Sequence, residues 1–145
     1  MSPNEAETLE WLGTSYKTIL KPEDSGGAIS IVDSTSPPQS GPPRHIHHAE
    51  DETFVILTGE CRVWMEGKER TLQAGRSVFI PRGTEHTFKV GGSEPCRHLV
   101  ILTPGGFEGF FADMAAGAFA IPDHMPQIED SAKRHKMSFT GPPLD

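Results

Sequence analysis

Residues 41–59 read GPPRHIHHAEDETFVILTG: two histidines two apart, a glutamate five further on, then β-branched and aromatic residues ending in glycine. Alternate side chains of an extended strand lie on one side, with Cα atoms about 6.8 Å apart, so His45 and His47 can close on a single point. Glu52 is an odd number of residues beyond His47, and on an unbroken strand it would face away. The polar run His48-Ala49-Glu50-Asp51 therefore has to turn the chain. Beyond that turn Glu52, Phe54 and Ile56 share one face while Val55 and Leu57 take the other. With both faces apolar, this reads as a buried strand. Thr58-Gly59 then supplies a turn, since glycine accepts a positive φ without a Cβ penalty.

A second stretch, GRSVFIPRGTEH at residues 75–86, offers a comparable setting: a short strand Ser77–Ile80, a turn at Pro81-Arg82-Gly83, then His86. Three imidazoles and one carboxylate, His45, His47, His86 and Glu52, form a mixed nitrogen and oxygen set. Such a set suits one divalent transition metal (Fe, Mn, Ni, Co, Cu or Zn) and leaves one or two positions open for substrate, water or dioxygen. His48 would face away from the histidine pair and reach it only through a bulge. Glu50 and Asp51 read as solvated turn residues, although a one-step slip in register would put either in place of Glu52. Arg44 and Arg82 are ordinary surface charges or cations that meet an anionic substrate at the mouth of the site.

Taken in order, the chain opens on a polar segment followed by Trp11-Leu12, an apolar pair expected to dock on the body of the fold. Thr14–Leu20 and residues 28–32 read as strands joined by the turn KPEDSGG. Residues 34–43, STSPPQSGPP, carry four prolines, and the spacing predicts an extended approach to the histidines rather than regular sheet. Cys61, Val63 and Met65 alternate with Arg62 and Trp64; if the first set points inward, Trp64 lies either at a dimer contact or beneath terminal segments of its own chain. Residues 97–102, RHLVIL, make another buried strand, in which His98 reads as a core or surface histidine rather than a ligand. Strands separated by tight turns through residues 14–102 argue for an all-β barrel or jelly roll. The period then changes: Phe107, Phe110, Phe111 and Met114 recur at helical spacing over residues 106–118, and a second short helix is expected over residues 126–136 with Asp123 as a possible cap. Two short C-terminal α-helices after a barrel could cover one of its mouths as a lid.

A length of 145 residues is the usual size of one domain with its own core, here a barrel at about 14–102 and a helical segment at about 103–145. The formal net charge is -7 and Lys and Arg form no run, which argues against a nucleic-acid partner. No segment approaches the about 20 consecutive apolar residues of a membrane span, and MSPNEAETLEW has neither a basic nor an apolar leader region, so a cytoplasmic protein is expected. Cys61 and Cys96 make no disulfide framework, and Cys61 reads as a buried thiol.

The pattern G-x3-H-x-H-x4-E-x6-G over residues 41–59, with G-x5-P-x-G-x2-H over residues 75–86, resembles the two motifs of the cupin superfamily. The first glycine stands closer to the histidines than is usual, and Val90 occupies the place of the family's customary asparagine. Neither departure touches a metal ligand. With the tail TPGGFEGFF and the closing TGPPL, the chain resembles the small single-domain cupins that are quercetin 2,3-dioxygenase-like. The resemblance implies a double-stranded β-helix, or jelly-roll cupin barrel, with the metal inside, and a dioxygenase acting on a flavonol-like or other aromatic enol. Glu52 would accept the proton that the substrate releases, and activity would decline as pH falls through the histidines' titration range. Phe54, Ile56, Met65 and Phe88 are candidates for the pocket wall. A metal-containing sugar or small-molecule binding module without turnover, and a cupin isomerase, share the same motifs, because a fold does not fix an activity. A small-molecule substrate and a homodimer are the expected partners.

Overall fold

The computed structural model describes residues 7–145; the first six residues of the polar opening segment, on which the leader expectation partly rests, lie outside them. The described chain forms β1 (Thr8–Trp11), β2 (Thr14–Leu20), β3 (Ser30–Ser36), β4 (Arg44–His47), β5 (Asp51–Thr58), β6 (Glu60–Met65), β7 (Lys68–Gln73), β8 (Ser77–Ile80), β9 (His86–Val90) and β10 (Cys96–Thr103). Two helices, α1 (Glu108–Gly117) and α2 (Met125–Arg134), and a last strand, β11 (Met137–Gly141), complete it. Two antiparallel sheets face each other, one ordered β1-β2-β3-β10-β5-β8 and the other β11-β4-β9-β6-β7. This is an all-β jelly roll with two short helices after the barrel, the architecture expected from the turn spacing. No helix among the described residues is long and apolar enough to cross a membrane.

Period-2 alternation builds both walls. Strand β3 alternates buried and half-buried residues along its whole length, and β4 and β5 turn His45, His47, Glu52, Phe54 and Ile56 inward. Backbone close approach fixes two glycines. A Cβ on Gly41 would sit 2.0 Å from the carbonyl oxygen of Phe88, and one on Gly59, at φ +85°, would sit 2.6 Å from that of Pro95.

Several expectations need correction. Strand β3 runs on through Ser36 with all its residues paired to β10, so the prolines shape only the approach after it. It also begins at Ser30, later than expected. Strand β5 is buried on its inner face alone: Val55 is half-buried and Leu57 is exposed, because none of the described residues fully covers that side of the larger sheet. Helix α2 starts at Met125 with His124 at its N-cap and no side-chain cap, so Asp123 does not serve as one. The closing segment supplies a strand the sequence did not announce, β11, which pairs Met137 with His47 and Phe139 with His45. Trp64 is half-buried beneath Arg44, whose guanidinium carbon lies 4.5 Å from the ring centroid. Arg44 is in turn held by the carbonyl of Pro142, which accepts from Nη1 at 2.6 Å. Trp11 does dock, its Nε1 donating to the carbonyl of Phe119 at 2.8 Å, while Leu12 remains exposed.

Candidate metal centre

Each histidine is delivered by a strand of the smaller sheet. His45 and His47 alternate inward on β4, and His86 opens β9 directly opposite His45. The bend at residues 48–50 shifts the phase of the chain so that Glu52 enters from β5 of the facing sheet, between Ile80 and Leu102 in the ladder. The turn at Pro81–Gly83 is anchored by the Gly83 N–H, which donates to the His47 carbonyl at 2.8 Å.

All four groups are buried. The ligating atoms available on His45, His47 and His86 lie within 4.8 Å of one another. Glu52 stands beside this triad, with Oε2 at 2.8 Å from His47 Nε2 and Oε1 at 3.9 Å from His86 Nε2. The tautomers follow from the backbone. His45 Nδ1 lies 2.8 Å from the Pro43 carbonyl and His86 Nδ1 lies 2.9 Å from that of Thr84. A carbonyl can only accept, so each Nδ1 carries the proton and each Nε2 presents a lone pair. In both cases the acceptor is two residues upstream. His86 Nε2 is buried with no hydrogen-bond partner, an arrangement that is costly unless something else takes up the lone pair. Three convergent imidazole nitrogens with an adjacent carboxylate fit a divalent transition metal.

The electrostatics divide the three rings. Burial, reinforced by the neighbouring rings of His86 and His47, holds the pKa of His45 down to about 3. Burial likewise lowers that of His86. Burial opposes charge on His47 too, but the carboxylates of Glu52 and Glu50 outweigh it and push its pKa up to about 9. Glu52, despite the burial that disfavours its charge, is held down to about 2 by His47 and the two other rings. Without an ion, His47 and Glu52 form a buried ion pair.

Glu50 is where the sequence reading fails. Instead of a solvated turn residue it is buried, with Oε1 at 3.2 Å from His47 Nδ1. Asp51 stays at the surface side and pairs with Arg82 at 3.2 Å, so Arg82 is committed to that carboxylate. His48 is exposed and reaches Ser138 Oγ at 2.8 Å.

A cavity of about 170 Å³ opens from the centre. Its wall includes His45, His47, Glu52, Phe54, Phe88 and His98, with Phe107 at the N-cap of α1 and Phe110 and Phe111 within that helix. Phe107 sets its ring edge-on to His47 at 4.3 Å, and Phe54 and Phe88 meet edge to face at 5.4 Å. Of the four proposed wall residues the cavity is lined by Phe54 and Phe88; Ile56 and Met65 are not on it. His98 is buried on the wall, its Nε2 3.2 Å from Ser36 Oγ, and burial lowers its pKa to about 4. Among the described residues no lysine or arginine lines this space.

A jelly roll carrying three inward histidines and a carboxylate defines a class. The cupin domain model matches residues 33–102, and that segment belongs to the cupin superfamily. The relatives then narrow the comparison. Quercetin 2,3-dioxygenase of Bacillus subtilis is 28% identical over 96 residues, which span 66% of this chain and 28% of that protein. The chain thus spans less than a third of that relative's length. Among solved structures, KdgF from a Halomonas species superimposes with a TM-score of 0.61 at 18% identity, over 70% of this chain and 87% of that one. A Thermotoga maritima protein described as a predicted oxalate decarboxylase superimposes with a TM-score of 0.60 at 22% identity, over 70% and 94%. These two likenesses show the fold.

Proposed function

We propose that this chain is a metal-dependent cupin dioxygenase acting on a flavonol-like or other aromatic enol, with the ion held by His45, His47, Glu52 and His86. The observation that carries the reading is a cavity walled by aromatic side chains that ends on two of these histidines and Glu52. Flat, apolar substrates bury well against such walls, and a few convergent polar groups orient them. A bound divalent ion would supply Lewis-acid and redox chemistry at the enol oxygen. The rest falls to the chain: Phe54, Phe88 and Phe107 orient the ring and exclude water, and Glu52 takes the enol proton. The similarity to quercetin 2,3-dioxygenase supports the same substrate class. An isomerase for phosphorylated sugars fits less well, since its substrate needs cations that the wall does not offer.

The test is metal content of untagged protein followed, in the same preparation, by oxygen uptake over a panel of flavonols and catechols. Near one equivalent of Fe, Mn, Ni, Co or Cu with substrate-dependent uptake, both lost in His47→Ala, is the expected result. Metal without uptake would move the chain to a binding or isomerase role, and no metal after reconstitution would sink the centre itself.

The reading extends to a cytoplasmic homodimer. Its proposed contact is the outer face of the larger sheet, where Ile31, Val55, Leu57, Phe79, Leu99 and Ile101 are half-buried or exposed. Phe79 is 55% exposed on β8, at the end of its sheet, and a second copy of the same apolar face is self-complementary about a twofold axis.

A further inference from the structure

Two carboxylates are buried among the described residues, Glu52 and Glu50, and the motif spacing uses only the first. Glu50 ends the bend between β4 and β5, on the side of the His47 ring away from Glu52: Oε1 lies 3.2 Å from Nδ1, whereas Glu52 lies 2.8 Å from Nε2. Neither His47 Nδ1 nor Glu50 Oε1 has any other hydrogen-bond partner. Two buried complementary atoms this close and otherwise unserved are a hydrogen bond that a small turn of the ring completes.

The comparison with the other rings sharpens the point. His45 and His86 both give Nδ1 to a neutral main-chain carbonyl. His47 alone faces a charged acceptor there. We infer that Glu50 is a positioning residue for the metal centre: it holds the Nδ1 proton of His47, leaves Nε2 free for the ion, and makes this ring the strongest nitrogen donor of the three. A carboxylate behind a ligating imidazole raises its basicity as well as fixing its orientation, and removing such a partner typically costs about 10- to 100-fold in metal affinity. Glu50 also offsets charge: a divalent ion with three neutral imidazoles and Glu52 carries one net positive charge, which a second carboxylate cancels.

The inference rests on the metal reading above, and the experiment separates the two. Cobalt(II) affinity is measured by competition with a chelator, together with the visible absorption of the bound ion, for the wild type, Glu50→Ala, Glu50→Gln and Asp51→Asn. Far-ultraviolet circular dichroism and the Tm of metal-free protein serve as fold controls. Glu50→Ala is expected to weaken cobalt about 10- to 100-fold and shift its absorption bands. Glu50→Gln, which keeps an acceptor but not the charge, should recover part of the loss, and Asp51→Asn, altered at the surface pair with Arg82, should match the wild type. Cobalt affinity and spectrum within twofold of wild type in both Glu50 variants would overturn the role of Glu50 while leaving the metal site intact. A wild type that takes up no cobalt would remove the site and this role with it. Should the alanine variant fail to fold, the glutamine variant decides: an unchanged spectrum and affinity count against the role.

Discussion

At the scale of single residues, the centre holds one proton that the proposed metal would have to displace. His45 and His86 are neutral near pH 7, because burial holds their pKa values down, but His47, with a pKa of about 9, carries a proton shared with Glu52. Metal affinity should therefore rise with pH by close to tenfold per unit between pH 7 and about 9, with release of one proton. Titration calorimetry in buffers of different ionisation heat measures that proton directly, and a pH-independent affinity would contradict the His47–Glu52 pair. The loading window thus lies above the ordinary histidine range that the sequence suggests. That His45, His47, Glu52 and His86 come together was legible, because strand period and turn placement determine which side chains meet. Glu50 was not, since burial of a turn carboxylate depends on which ring packs beside it, and that ring is three residues away across a bend no periodicity describes.

Among elements, β11 changes how the ligand strand is supported. Strand β4 lies between β9 and β11, and β11 pairs opposite both of its histidines. Truncation after Lys136 would leave β4 as an open edge and remove the buried Met137, a loss of about 2–3 kcal/mol from apolar burial alone. The expected outcome is a lowered Tm and a weaker cobalt complex; an unchanged complex would show that β4 holds its own shape. Two phenylalanines of helix α1 answer to different tests. Phe110 is only 3% exposed, so Phe110→Ala should cost about 3–5 kcal/mol of stability whatever the helix does for ligands. Phe111 is half-buried, lines the cavity and stacks on Tyr16 at 4.2 Å. Phe111→Ala is therefore the cleaner probe of a lid, and loss of about 1 kcal/mol of aromatic contact should raise the Kd for a flavonol roughly fivefold. Both helices were readable from their apolar period. The strand after them was not, because MSFTG carries little alternation of its own and is recruited by the exposed edge of β4.

For the molecule as a whole, the buried rings predict an acid-sensitive fold. Below pH 6.5 an unfolded chain protonates His45, His86 and His98, while burial keeps those protons off in the folded state. Each such group removes up to about 1.4 kcal/mol of stability per pH unit, until its folded pKa is reached. The Glu52 contribution is present above pH 4.5 and is lost as pH falls toward 2. That of His47 runs the other way, complete below pH 6.5 and lost as pH rises through about 9. Metal-free protein should accordingly be most stable near pH 6.5, with lower denaturant midpoints at pH 5 and pH 8.5; a midpoint at pH 5 equal to that at 6.5 would mean the histidines are not held neutral. The proposed dimer face predicts that Phe79→Glu yields a monomer by light scattering at concentrations where the wild type is dimeric. Three of the candidate ligands come from the smaller sheet and Glu52 from the larger one. An ion so placed would rivet the two halves together, worth about 2.7 kcal/mol at a hundredfold excess over its Kd. If the proposed ion is bound in the cell, its supply would govern how much of this chain survives: copies left unloaded would open more often, meet proteases sooner and be cleared, so that abundance itself would become a gauge of metal nutrition.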